Sequence, residues 1–148
     1  MEAVKSGDLQ QASLLFERYN RRIYNFLARM TMDQQLAEDL CQNVFLRMIK
    51  YRSSYRNGSR FQSWIYQIAR NVFSDHYQSV KNKYSAFIDV EKISDHMADN
   101  EETQLQHEKE ILLQKSMARL TDEQRQLLVL TRFQQMKYEE VAELMETT

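Results

Sequence analysis

A chain of 148 residues with no proline and only two glycines has few means of turning a strand back on itself. Sandwiches and barrels need Gly/Pro turn chemistry about every ten residues, whereas helices joined by short polar connectors need almost none. An all-α fold is predicted. Hydrophobic residues make up 43% of the sequence, enough for a core. The length suits one compact helical domain or two small ones. The longest aliphatic run, Leu127-Leu128-Val129-Leu130, falls far short of the ~20 residues of a membrane span, so no membrane insertion is expected. No basic-then-apolar leader opens the sequence, and the single cysteine, Cys41, has no internal partner. Both point to a reducing compartment, the cytoplasm by default.

The first helix is predicted from about Asp8 to Met30. Leu9, Ala12, Phe16, Tyr19, Ile23, Phe26 and Met30 step by three and four, one apolar stripe on a 3.6-residue period. Thr31 with Gln34 reads as a capping box for the second helix. Its pairs Leu36/Ala37, Leu40/Cys41, Val44/Phe45 and Met48/Ile49 repeat every four residues and make a wide buried band. Tyr51 to Gly58 is polar, aromatic and basic, and Asn57-Gly58 supplies turn chemistry. Ser59 with Gln62 reads as a second capping box, opening a third helix through roughly Tyr77 with Phe61, Trp64, Ile65, Ile68, Val72 and Phe73 on its core face. Three such helices can bury their stripes together.

From about Val80 to Thr103 the periodicity fades while Asp89, Glu91, Asp95, Asp99, Glu101 and Glu102 accumulate, as expected of an acidic linker. Helical pattern returns over Leu105 to Ala118. Thr121 with Gln124 reads as a third capping box, and Tyr138 to Leu144 starts a last helix. The predicted division is a first domain over 7–80, a linker over 81–103 and a second helical unit over 104–148.

The net charge of −1 conceals a division. Residues 1–86 carry 13 Lys and Arg against 7 Asp and Glu, and residues 87–148 carry 7 against 14. The first part has the excess that attracts a polyanion, and an ordinary solvated surface fits the same numbers.

Two segments carry a family resemblance. Ala37-Glu38-Asp39-Leu40-Cys41-Gln42-Asn43-Val44-Phe45 is followed by Phe61-Gln62-Ser63-Trp64-Ile65-Tyr66-Gln67-Ile68-Ala69-Arg70-Asn71. Together they resemble the sigma-two domain of extracytoplasmic-function sigma factors of the bacterial sigma-70 family. The family pattern is an acidic Asp-Leu-x-Gln helix, a loop, then Phe-x-x-Trp-Leu-x-x-Ile-Ala-x-Asn, and many paired positions at fixed separation make a strong signal. A weaker sigma-four resemblance covers residues 105–148.

The resemblance implies a dissociable RNA polymerase subunit that recognises and melts promoter DNA. Asp39 and Gln42, off the Leu36/Leu40/Val44 line, match the positions that dock on the clamp helices of the largest polymerase subunit. Tyr51, Tyr55, Ile68 and Asn71 match positions lining a pocket for a flipped base of the minus-ten element. An unstacked base needs an apolar wall and an amide to read its edge. Tyr51 and Tyr55 capping the core is the bland alternative. Arg52, Arg56, Arg60, Arg70, Lys81 and Lys83 are candidates for holding phosphates nearby. Trp64, on the Phe61/Ile68 face, is assigned to the core. An anti-sigma protein is implied as a partner by resemblance only. Tyr138 to Leu144 resembles the first helix of a helix-turn-helix, and the sequence stops at Thr148, before a recognition helix. This stretch is therefore not expected to read the minus-thirty-five element.

Catalytic chemistry finds little support. His76, His96 and His107 are far apart, Cys41 sits among apolar residues, and no metal-ligand spacing is recognisable. Neither cofactor nor enzymatic activity is expected. The rival from another class is an all-helical protein-interaction module without direct promoter binding; a stand-alone helix-turn-helix repressor would need the missing recognition helix. The acidic linker reads equally as a tether or as a nucleic-acid mimic.

Overall fold

The apolar stripes fold into the helices their spacing predicts. The computed structural model describes residues 1–84 and 101–146, and these are all-α, with no strand among the described residues. A short helix absent from the sequence-based expectation, α1 (Glu2–Lys5), precedes the long α2 (Gln10–Thr31), and Gly7 at φ +111 makes the turn between them. α3 spans Gln34–Lys50 and α4 spans Phe61–Tyr84, with a 3₁₀ turn over Arg52–Ser54 in the connecting loop. The second half contributes α5 (Glu101–Ala118), α6 (Asp122–Leu128), a π-helical turn (Val129–Phe133) and α7 (Tyr138–Glu146).

Two of the three predicted capping boxes are replaced. Because α2 runs on through Thr31, the cap of α3 falls to Asp33, whose carboxylate accepts from the Leu36 N–H at 3.1 Å. An acidic cap also suits the positive end of the helix dipole. Ser59 belongs to the turn around Gly58 (φ +81), where its hydroxyl donates to the Arg56 carbonyl at 2.6 Å. The third box forms as predicted: the Gln124 N–H donates to Thr121 Oγ1 at 3.2 Å, and the Thr121 N–H to Gln124 Oε1 at 3.1 Å. Thr121→Ala is expected to cost about 1 kcal/mol of stability in urea unfolding, the usual loss for a cap.

Helix occupies both ends of the segment predicted as linker. α4 continues past Tyr77 to Tyr84, and α5 begins at Glu101. Asp89, Glu91, Asp95 and Asp99 lie outside the described residues.

Ile23, Phe26, Leu27 and Met30 of α2 meet Ala37, Val44 and Met48 of α3 and Ile65, Tyr66, Ala69, Val72 and Phe73 of α4, all almost fully buried. The second half joins this same core through Met117, Val129, Leu130, Val141 and Leu144. Polar contacts tie it down. Arg125 Nη1 donates to the Met30 carbonyl at 3.1 Å, and its Nε to the Met117 carbonyl at 3.0 Å. The Tyr66 hydroxyl donates to Gln134 Oε1 at 2.6 Å, and the Arg29 guanidinium lies 3.7 Å over the Phe133 ring. Among the described residues no helix is long and apolar enough to cross a membrane.

Candidate nucleic-acid interface

The loop between α3 and α4 is held from several directions, which gives a polar and basic segment a defined shape. Lys5 Nζ donates to the Tyr55 carbonyl at 2.6 Å, and the Gly58 N–H to Glu2 Oε1 at 3.1 Å, so α1 pins the loop. Within the loop the Ser54 hydroxyl donates to the Tyr51 carbonyl at 2.7 Å, and Arg52 Nη1 to the Ile49 carbonyl at 2.9 Å. Arg52 is half-buried, and part of its donor capacity closes the end of α3.

Where this loop meets α4 there is a cavity of about 400 Å³, lined by Tyr51, Trp64, Gln67, Ile68 and Asn71 among others. Residues 64, 68 and 71 recur at helical spacing, so one face of α4 supplies most of the wall. Tyr51 is 47% exposed, with Lys50 Nζ 5.2 Å from its ring centroid. Arg47 and Asp75, also lining the cavity, form an ion pair at 2.7 Å. Gln67 Nε2 donates to Asn71 Oδ1 at 3.3 Å, which leaves the Asn71 NH₂ without a protein partner among the described residues. Gln67 Oε1 is buried and has no partner among the described residues. Aromatic and aliphatic surface beside uncommitted amides is the chemistry that receives an unstacked base.

Three of the four expected pocket residues, Tyr51, Ile68 and Asn71, are thus brought together. Tyr55 is not. Its ring is 5% exposed and packs edge-on to Trp64 at 5.3 Å and Phe61 at 6.3 Å, with its hydroxyl donating to the Ser59 carbonyl at 2.6 Å. Drawn under the loop by the 3₁₀ turn, Tyr55 caps the core. Trp64 moves the other way. Assigned to the core from its stripe, it is only partly buried and lines the cavity.

Among the basic candidates, Arg56, Lys81 and Lys83 are exposed. Arg60 is exposed too, with its side chain paired to Glu140 of α7. Arg70 is a correction. Expected at the surface, it is 6% exposed, with Nε donating to Gln126 Oε1 at 2.7 Å and Nη1 donating to the Leu144 carbonyl. It shares a helix face with Tyr66, on which the second half packs, so its charge is directed inward. Burial pulls its pKa below the ordinary arginine value, and the Glu123 carboxylate acts in the opposite sense. On α3, Asp39 and Gln42 are both exposed, and Leu46, 68% exposed at the next step of that face, joins them. Leu46 was legible as the leucine that falls outside the four-residue band. Cys41 is buried, and burial pushes its thiol up to about 11, so it is inert at neutral pH.

The chain has clear relatives. Sigma-70 region 2 matches residues 15–83, and Sigma-70, region 4 matches residues 110–148. The ECF RNA polymerase sigma factor SigM of Bacillus subtilis is 32% identical over 133 residues, covering 88% of this chain and 79% of that protein. The RNA polymerase sigma factor CarQ of Myxococcus xanthus is 30% identical over 146 residues, covering 97% of this chain and 82% of that protein. The sigma factor RpoE of Bartonella quintana, solved in complex with the anti-sigma factor NepR, shares the fold at a TM-score of 0.72 and 20% identity, over 90% of this chain and 82% of that one. With its loop and α4 face inside region 2 and α6 and α7 inside region 4, the chain belongs to the extracytoplasmic-function RNA polymerase sigma factors of the sigma-70 family.

Proposed function

We propose that the chain docks on core RNA polymerase through the exposed face of α3 and captures an unstacked base of promoter DNA in the cavity between Tyr51, Trp64, Ile68 and Asn71. The observation that carries this is the cavity itself, which sets aromatic surface beside an uncommitted amide; the exposed Arg56 and Arg60 line the adjoining cavity, with Trp64 and Gln67 common to both. The energetic work is binding rather than bond-making. Stacking a base on an aromatic side chain gains about 1–3 kcal/mol, which offsets part of the cost of unstacking it from the duplex. No cofactor enters this scheme, and its place is beside polymerase in the cytoplasm. By likeness to the RpoE–NepR complex, an anti-sigma protein is the partner that would hold the chain inactive.

The test is a titration of core polymerase and a promoter fragment with an unpaired minus-ten region. The chain is expected to bind polymerase and, with it, to retain the unpaired non-template strand. Binding to neither would leave an all-helical interaction module in its place.

Docking has its own variant. Asp39→Ala with Gln42→Ala is expected to weaken polymerase binding while helicity stays at wild type and stability shifts by no more than about 0.5 kcal/mol, as exposed substitutions do. Polymerase affinity equal to wild type would remove both residues from the interface.

A further inference from the structure

A helix of one turn does not hold itself in water, because nucleation is unfavourable and too few bonds follow it. α1 is kept by burial: Val4 is 0% exposed in the shared core, and the helix packs on α2 and on the 3₁₀ turn. Glu2 and Lys5, three positions apart, lie on one face of it. Both side chains reach the loop between α3 and α4. Lys5 Nζ donates to the Tyr55 carbonyl at 2.6 Å, a short charge-assisted bond, and Glu2 Oε1 accepts from the Gly58 N–H at 3.1 Å. The two grips bracket Arg56 and Asn57, both exposed.

Each grip also reaches a cavity wall. Tyr55 packs edge-on against Trp64 at 5.3 Å, and Ser54, the residue before it, lines the base cavity together with Trp64. Gly58 lines the adjoining cavity with Arg56 and Arg60. From this we infer that α1 sets the base wall and the phosphate anchor of the loop in register. Lys5 and Glu2 are then positioning residues for base recognition, although neither lines the base cavity. The inference rests on the proposed base capture. Discrimination needs the wall and the reading amide held in one geometry, which a supporting shell must supply. Anchoring needs no such register, because a phosphate contact carries no sequence information. The Lys5 ammonium is directed at a main-chain carbonyl, so it acts through the loop and not on a phosphate.

The test uses the whole chain with Lys5→Met, which keeps the length of the side chain and removes the donor. Labelled single-stranded non-template oligonucleotides that differ at one position are titrated across salt. The affinity ratio between preferred and other bases is expected to fall by about three- to tenfold, part of the worth of a hydrogen bond from a charged group. The salt slope is expected to stay at the wild-type value. Trp64 is the sole tryptophan, and in Lys5→Met it is expected to become more accessible to a neutral quencher. Lys5→Arg, which restores a donor, is expected to recover both the ratio and the protection of Trp64. Glu2→Ala is expected to lower the ratio in the same direction, and Glu2 is exposed, so its truncation leaves the fold in place if Lys5→Met does not. A Lys5→Met chain with the wild-type ratio and a slope reduced by about 0.7 would make Lys5 one more phosphate contact and overturn the inference. Unchanged ratios in Lys5→Met and Glu2→Ala, with wild type still ranking the bases, would overturn it and leave base capture intact. Equal binding of every base by wild type would overturn both.

Discussion

Phe26→Ala is expected to cost about 3–5 kcal/mol of unfolding free energy, the usual loss on truncating a buried phenylalanine. Native domains have only about 5–15 kcal/mol in total, so much of the margin goes with it. Phe26 is fully buried on α2, and its ring meets Tyr66 of α4 edge-on at 5.6 Å. The Tyr66 hydroxyl in turn holds Gln134 beyond α6, so the cavity left by Phe26 loosens both halves of the core. Leu14→Ala is the control, because Leu14 is 57% exposed on the same helix and its loss falls within about 0.5 kcal/mol. Urea unfolding followed by circular dichroism checks both. A Phe26→Ala shift no larger than that of Leu14→Ala would contradict the packing described.

Asn71→Ala is expected to flatten the preference among bases by ~1–3 kcal/mol, the discrimination a good bidentate amide contact supplies. Asn71 is exposed at the cavity, with its oxygen engaged by Gln67 and its NH₂ left over. Arg56→Ala behaves differently, weakening all sequences alike and reducing the salt dependence, because a phosphate contact positions without specifying. Tyr51→Ala removes a stacking surface and lowers affinity by about 1–3 kcal/mol at every base. The three variants separate reading, anchoring and stacking. An Asn71→Ala chain that keeps the wild-type ranking of bases would assign the reading to another residue.

Much of this was legible from local pattern. The stripe of α2 and the four-residue band of α3 are helix periods, readable wherever apolar residues recur on 3.6, and Ile23, Phe26, Ala37, Val44 and Met48 are buried accordingly. The early end of the same stripe was not settled by period: Leu9 and Phe16 remain about half exposed, because the second half of the chain and α4 cover the later turns of α2. Caps failed where a boundary moved. One extra turn residue in α2 passed the role from Thr31 to Asp33. Trp64 lies at the edge of its stripe, where periodicity does not distinguish core from cavity wall. Tyr55 carried two readings, base wall or core cap, that its spacing did not decide, and Arg70 was not legible at all. Tyr55 is drawn inward by the fold of its own loop, and Arg70 by Gln126, a partner 56 positions away in sequence. A side chain such as Arg70, whose partners come from distant segments, leaves no local signal.

The most direct measurement is a fluorescence titration of the wild-type chain with single-stranded non-template oligonucleotides that differ at one position, at low and at raised salt. Base capture predicts that affinity falls with salt while the ranking of bases persists, since the cavity discriminates and the arginines anchor. Equal affinity for every base at both salt concentrations would contradict it and leave the basic face an electrostatic surface only.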